Sequence, residues 1–110
     1  MYNKKYELVM DDTININNHT LYRIKALRDF NDVINDDIHI GDLGGYIESE
    51  DNLSHEGDCW IYDNAKVYGN AKVFGRARVF NNAKIYGNAL ISGNAKVFDN
   101  ARVRGIAEIS

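Results

Sequence analysis

From Ile61 onward one aliphatic residue returns every six positions without a slip: Ile61, Val67, Val73, Val79, Ile85, Ile91, Val97, Val103 and Ile109. Four residues after each of the first eight stands an alanine, from Ala65 and Ala71 through to Ala101 and Ala107. Polar turn pairs separate the units, among them Gly69-Asn70, Gly87-Asn88, Gly93-Asn94, Asp63-Asn64 and Asn81-Asn82. An amphipathic helix repeats its apolar face at 3.6 residues and cannot hold this spacing. The consensus Ala-Lys-Val-aromatic-Gly-Asn alternates instead, so Ala and Val face one way while the cation and the aromatic face the other. Gly and Asn tolerate left-handed backbone angles and supply a corner. Three sides of six residues close a triangular coil, and successive coils stack their apolar residues into a column.

The pattern predicts an all-β chain: a left-handed parallel β-helix of about three coils with a small N-terminal β-rich cap. The boundaries read as a cap segment over residues 1–46 and a β-helix over 47–110, regular from about residue 59. Gly57-Asp58-Cys59-Trp60-Ile61 aligns with Gly69-Asn70-Ala71-Lys72-Val73, which puts Cys59 in the small inward slot and Trp60 in an outward one. His55 then falls where an inward aliphatic is expected. In the first segment, Tyr6–Val9 and His19–Leu27 read as strands, with 11–13 and 15–18 as their connection. Residues Arg28–Val33 read as a turn or a brief helix. The cap is expected to cover the first coil, because an open solenoid end exposes unpaired strand edges.

This spacing resembles that of the hexapeptide-repeat left-handed β-helix proteins, over roughly residues 55–110. The run from Gly41 to Ser54 is also similar to the entry segment of short β-helix proteins of phages and prophages. The first resemblance implies a trimeric acyltransferase with its site between subunits, a histidine as general base and an acyl carrier such as coenzyme A along the helix. His55 is the one histidine near the predicted β-helix and the runner-up catalytic residue. Three coils give little groove for a long cofactor, and no loop projects to clasp a substrate. The reading adopted is therefore a non-enzymatic interaction module with no cofactor. The second resemblance implies a phage-derived protein that binds or inhibits a host bacterial protein, as anti-defence and anti-CRISPR proteins do. A structural phage component is a further alternative.

Charge sharpens the partner question. Residues 1–64 carry five Lys and Arg against fourteen Asp and Glu, a net −9, while residues 65–110 carry eight against two, a net +6. The sum, −3, is the charge of the whole chain. Such a split points to charged partners or end-to-end self-association. The acidic candidates for partner binding are Asp36, Asp37, Asp42, Glu48, Glu50 and Asp51; a surface of this sign can imitate nucleic acid. The acids around Asp36–Asp42 lack an EF-hand spacing, so no metal is expected. Gly44-Gly45 is not followed by the Gly-Lys-Ser/Thr of a phosphate loop.

Stacking one triangular coil on the next sorts the outward positions onto three faces. Trp60, Tyr62, Arg78, Phe80, Lys96 and Phe98 form the most aromatic one and are the candidate interface for a homo-oligomer, a dimer or a trimer. A second face carries Lys66, Tyr68, Lys84, Tyr86, Arg102 and Arg104; nucleic acid is disfavoured as its partner because lysine is a common solubilising residue in repeats. The lone Cys59 excludes an internal disulfide and fits a reducing compartment. The start of the chain shows no secretion leader and no apolar run nears the ~20 residues of a membrane span. The expected location is the cytoplasm of a bacterial host.

Overall fold

The computed structural model describes residues 4–31 and 37–110. Two long strands, β1 (Tyr6–Ile16) and β2 (His19–Ala26), form an antiparallel hairpin. After the short β3 (Phe30–Asn31), β4 (Asp37–Ile38) and β5 (Leu43–Ile47) come a single 3-10 turn (Glu50–Asn52) and nine two-residue strands. These are β6 (Trp60–Ile61), β7 (Lys66–Val67), β8 (Lys72–Val73), β9 (Arg78–Val79), β10 (Lys84–Ile85), β11 (Leu90–Ile91), β12 (Lys96–Val97), β13 (Arg102–Val103) and β14 (Glu108–Ile109). No α-helix occurs among the described residues.

The nine short strands pair in parallel and in register: Lys66 faces Lys84 and Lys84 faces Arg102, three repeat units on at each step. The same step relates Trp60 to Arg78, Arg78 to Lys96, Lys72 to Leu90 and Leu90 to Glu108. Three parallel stacks, one per side of the triangle, make a β-solenoid. Its axis is filled by Ala65, Ala71, Ala77, Ala83 and Ala89 at the narrow corners, all wholly buried, and by Ile61, Val67, Val79, Ile85 and Ile91 on the sides. Burying each Val or Ile side chain contributes about 1.5–3 kcal/mol, and one contiguous cluster runs from Tyr6 to Val103.

Each corner column has its own chemistry. At one corner Gly69, Gly87 and Gly105 take positive φ, and a Cβ on Gly87 would lie 2.8 Å from the Gly105 nitrogen. Only glycine lets successive coils approach this closely. At another corner Asp63, Asn81 and Asp99 adopt φ of 57–59°. Their strain is offset along the stack, because the Asn81 N–H donates to Asp63 Oδ2 at 2.9 Å and the Asp99 N–H to Asn81 Oδ1 at 3.1 Å.

The solenoid begins earlier than the repeat does. Tyr46 and Ile47 pair with Lys66 and Val67, and Leu53 bridges Val73, each at a step two positions longer than in the later coils. Ile47, Leu53 and Ile61 therefore line the first coil, and the chain makes nearly four coils rather than the three expected. The two extra positions lie between Leu53 and Ile61. Leu53, not His55, takes the inward slot, and His55 sits in the bulge that this longer corner creates. The first coil pairs through β5 with β2, so β1-β2-β5-β7-β10-β13 is one continuous six-stranded sheet. The hairpin thus occupies the edge above one side of the solenoid.

The hairpin connection is tighter than expected. β1 continues through Asp11–Thr13 as a bulge, and only Asn17 and Asn18, with φ of 48° and 69°, make the turn. Phe30 and Asn31 pair with Ile38 and Asp37 as strands, where a turn or a brief helix was expected; the remainder of that segment, beyond Asn31, lies outside the described residues.

Where the first coil departs from strand geometry, a side chain replaces the missing ladder donors. In the next coil Gly87 O and Ala89 O accept from the N–H groups of Asn70 and Lys72. One coil up, the equivalent donor of Asn52 is turned into the 3-10 turn, bonding Ser49 O. The Asn52 amide fills in: Nδ2 donates to Gly69 O at 3.2 Å and Ala71 O at 2.8 Å, while Oδ1 accepts from the Glu48 and Ser49 N–H groups. Asn52 is buried with this hydrogen-bonding capacity used. Replacing Asn52 by Ala strands two carbonyls and the Ser49 N–H, the Glu48 N–H keeping its bond to Val67 O, and should lower stability by about 2–4 kcal/mol. Urea denaturation of the two proteins measures this; a difference below about 0.5 kcal/mol, the size of an ordinary surface change, would refute the role.

Candidate functional site

The N-terminal end of the solenoid is covered by the first segment, and His55, the runner-up catalytic residue, lies under it. His55 is 8% exposed and stacks on Tyr6 with ring centroids 4.0 Å apart. Its Nδ1 accepts from the Lys5 N–H at 3.1 Å, and Nε2 lies 2.7 Å from Glu50 Oε1. Both ring nitrogens are engaged in holding the cap to the bulge. Lys5 is fully buried; its ammonium donates to Gly57 O and Cys59 O and lies 3.3 Å from Cys59 Sγ. Tyr6 donates to Leu53 O at 2.6 Å, and Arg28 Nη2 to His55 O at 2.9 Å. These side chains satisfy carbonyls that a further coil would otherwise meet. Burial pushes the Lys5 amine below its ordinary value against the opposing pull of the Cys59 sulfur, and burial pushes the Cys59 thiol up despite Lys5. Cys59 is a small core residue with a raised thiol pKa, the opposite of an activated nucleophile.

The expected aromatic interface divides. Trp60 points outward from its coil, yet the cap closes over it: it is 1% exposed, with Phe30 and Tyr6 edge-on at 5.2 and 6.3 Å. Arg78 is buried as well. Tyr62 meets Phe80 edge-on at 6.3 Å, and Phe80 stacks on Phe98 at 5.3 Å. Of the six, only Lys96 and Phe98 are exposed, Phe98 at 47%. Much of this set is thus taken up inside the chain as an aromatic ladder and a cap contact.

The acidic candidates are likewise mostly engaged. Asp36 lies outside the described residues, and for Asp37 only the backbone is described. Asp42 accepts from the His39 N–H at 2.8 Å, closing its own turn. Glu50 pairs with Lys4 and His55, and Asp51 stands exposed on the 3-10 turn. No group of three or more metal-ligating side chains occurs among the described residues, and no helix there is long and apolar enough to cross a membrane.

The sheet of β7, β10 and β13 gathers the chemistry that remains. Lys66, Lys84 and Arg102 are stacked directly over one another by the parallel register. Like charges in this relation repel; burial, then Lys84 and Arg23, hold the Lys66 amine below its ordinary value. Beside this column Tyr68 and Tyr86 stack face to face at 5.1 Å, 8° from parallel. His19, the first residue of β2, lies over Tyr68 at 5.3 Å. Its Nδ1 is 2.8 Å from Glu48 Oε2, and the other oxygen of Glu48 accepts from the Gly69 N–H at 2.8 Å. Burial alone would raise the Glu48 carboxyl, but the hydrogen bonds from His19 and Gly69 outweigh it and hold the group below the usual range. On the Gly69 side of Glu48 opens a polar cleft of about 310 Å³, lined by Ser49, Asp51, Asn52, Gly69, Asn70, Ala71 and Lys72.

Sequence reasoning picked out Glu48 as an acid and missed His19 altogether. His19 lies outside the repeat and far along the chain from its partner, and no local spacing signals the pair. The Asn17-Asn18 turn, which places His19 at the start of a strand, is the nearest signal.

The chain is similar to known proteins in part of its length. A family model described as the YdcK beta solenoid repeat matches residues 83–97, the stretch that forms β10, β11 and β12. A relative, the uncharacterized acetyltransferase YdcK of Escherichia coli (strain K12), is 46% identical over 50 residues. The match covers 46% of this chain and 14% of that protein. This relative overturns the expectation of a non-enzymatic chain, since its description is that of an enzyme. Neither comparison lends support to a phage origin or to capture of a host protein.

The lowered Glu48 and Glu50 carboxyls make an acid-limb prediction. A carboxylate depressed in the folded state contributes stability that is fully present above its unfolded value and is lost as pH falls through the folded one. Glu48→Gln should therefore flatten the fall of the urea midpoint on acidification from pH 6 to pH 3 relative to the parent chain. An unchanged slope would show that Glu48 is not held in this way.

Proposed function

We propose that this chain is a β-solenoid module of the acyl-transfer kind, whose working surface is the sheet of β7, β10 and β13 with the cleft beside it. The observation that carries the proposal is the 46% identity to an acetyltransferase over 50 residues. The matched stretch is a small part of that relative, so the donor is argued from this chain's own surface. An acyl carrier bearing phosphates would meet the column of Lys66, Lys84 and Arg102. No Asp or Glu occurs in the sequence between Asp63 and Asp99, so no acid within that stretch of the repeat neutralises these cations. Stacked cations with no acid among them raise the local concentration of an anionic ligand and weaken as salt rises.

The fold supports a scaffold role as well. Every side chain on a solenoid face is held at fixed height by the ladder beneath it, a rigid presentation of the kind that positions reacting groups. His55 has no part in this reading, because it is buried and committed to the cap.

Thermal unfolding with increasing acetyl-coenzyme A tests the proposal. A ligand that binds only the folded state at 100 times its Kd adds about 2.7 kcal/mol, a rise of several degrees in Tm. The rise should shrink in high salt and in a Lys66→Gln, Lys84→Gln, Arg102→Gln variant. No rise at millimolar ligand in low salt would sink the reading.

A further inference from the structure

The polar cleft of about 310 Å³ is lined by two charges of opposite sign that have no ion partner. Asp51 comes from the 3-10 turn and Lys72 from β8. Both are exposed, and among the described residues neither takes part in an ion pair, with each other or with a third group. The nearby acids are already committed: Glu48 is bonded to His19 and the Gly69 N–H, and Glu50 to Lys4 and His55. One coil on from Lys72, the paired position holds Leu90 and so brings no acid to it.

The N–H groups of the cleft have nothing left to offer a ligand. The Ser49 N–H donates to Asn52 Oδ1, the Asp51 N–H to Ser49 Oγ and the Asn52 N–H to Ser49 O. The N–H groups of Gly69, Asn70, Ala71 and Lys72 donate to Glu48, Gly87 O, Tyr68 O and Ala89 O. A bare anion would therefore find no cradle of backbone donors and would meet Asp51, while a bare cation would meet Lys72. Recognition falls to side chains: the Asp51 carboxylate, the Lys72 ammonium, the Ser49 hydroxyl and the Asn70 amide. The buried Asn52 amide ties the 3-10 turn to Gly69 O and Ala71 O, so the two charges are set apart before a ligand arrives.

We propose that this cleft binds a small zwitterion, a molecule whose ammonium meets Asp51 and whose carboxylate meets Lys72. A ligand of both signs satisfies both charges at once, whereas each single-sign ligand carries a repulsion. The volume lies at the lower end of small-molecule sites, and the exposure of both charges makes the binding weak. An ammonium paired with Asp51 has no lone pair with which to attack a carbonyl, so the amine is held and not acylated. The inference takes its cleft from the acyl-transfer reading above and stands without that chemistry.

Amide chemical shifts of the full chain, titrated with glycine, β-alanine, γ-aminobutyrate and 6-aminohexanoate, test this against ethylamine and acetate. One length of the series should move the Asp51, Asn52, Asn70 and Lys72 amides saturably, binding roughly two- to fivefold more tightly than either half-molecule. Asp51→Asn and Lys72→Gln should each erase that advantage while leaving Tm unchanged. Exchanging the charges, Asp51→Lys with Lys72→Glu, should restore it, because a zwitterion can turn round. A series in which no zwitterion binds better than ethylamine or acetate overturns the proposal, as does tighter binding of inorganic phosphate at the same amides. Zwitterion binding without any response to acetyl-coenzyme A leaves this site standing and sinks the acyl-transfer reading; the opposite pair of results does the reverse.

Discussion

Everything in this molecule depends on one ladder: backbone hydrogen bonds that link each residue of the solenoid to the residue one coil further on. Because the strands are parallel and in register, a step of one coil fixes both the backbone pairing and the side-chain neighbour. Alanines then fall on alanines at the corners and aliphatics on aliphatics along the sides, while outside each residue meets whatever the next coil places at the same position. Two-residue strands cannot stand alone; each is stable only because neighbouring coils complete its hydrogen bonds. The same rule that builds the core therefore builds the surface. It stacks Tyr68 on Tyr86 and forces Lys66, Lys84 and Arg102 into one column.

The ladder has to begin somewhere, and its first coil shows how. That coil is longer by two positions at one corner, and its backbone donors and acceptors do not all find strand partners. Side chains stand in for them. The Asn52 amide supplies N–H groups to Gly69 and Ala71, while the Lys5 ammonium and the Tyr6 hydroxyl cover carbonyls of the uppermost turn. Burying a lysine is costly unless it is richly bonded, and here desolvation lowers its pKa while its donors meet carbonyls. The cap thus uses up His55, Trp60 and Glu50, residues whose types suggested chemistry or contact.

A consequence for function follows from where the hairpin lands. β2 adds to the same sheet that carries the cation column, so the turn of the hairpin brings His19 beside Glu48 and over Tyr68. The YdcK repeat match falls inside the regular coils, whereas the His19–Glu48 pair joins the hairpin to the entry segment. The repeat and this pair thus come from different parts of the chain and meet at one edge of the sheet.

Read alone, the order of residues carried the period, the solenoid class, the inward alanine and aliphatic columns and the outward aromatic and basic ones. Those features are local and repeat, so six residues hold the rule for all. A cap was also legible, but not its extent or workings. The β-helix was placed from residue 47, but the register of its first coil was hidden because the two-position insertion breaks the spacing of six, and the pattern arrives at His55 where the fold has already used Leu53. Which outward residues stay outside was settled only when the chain packed. Trp60 occupies a surface position of its coil, yet Phe30 and Tyr6, both from the N-terminal segment, bury it. Packing alone paired His19 with Glu48 as well, since hydrogen bonds between distant side chains obey no sequence period and are set only when the hairpin docks on the solenoid edge.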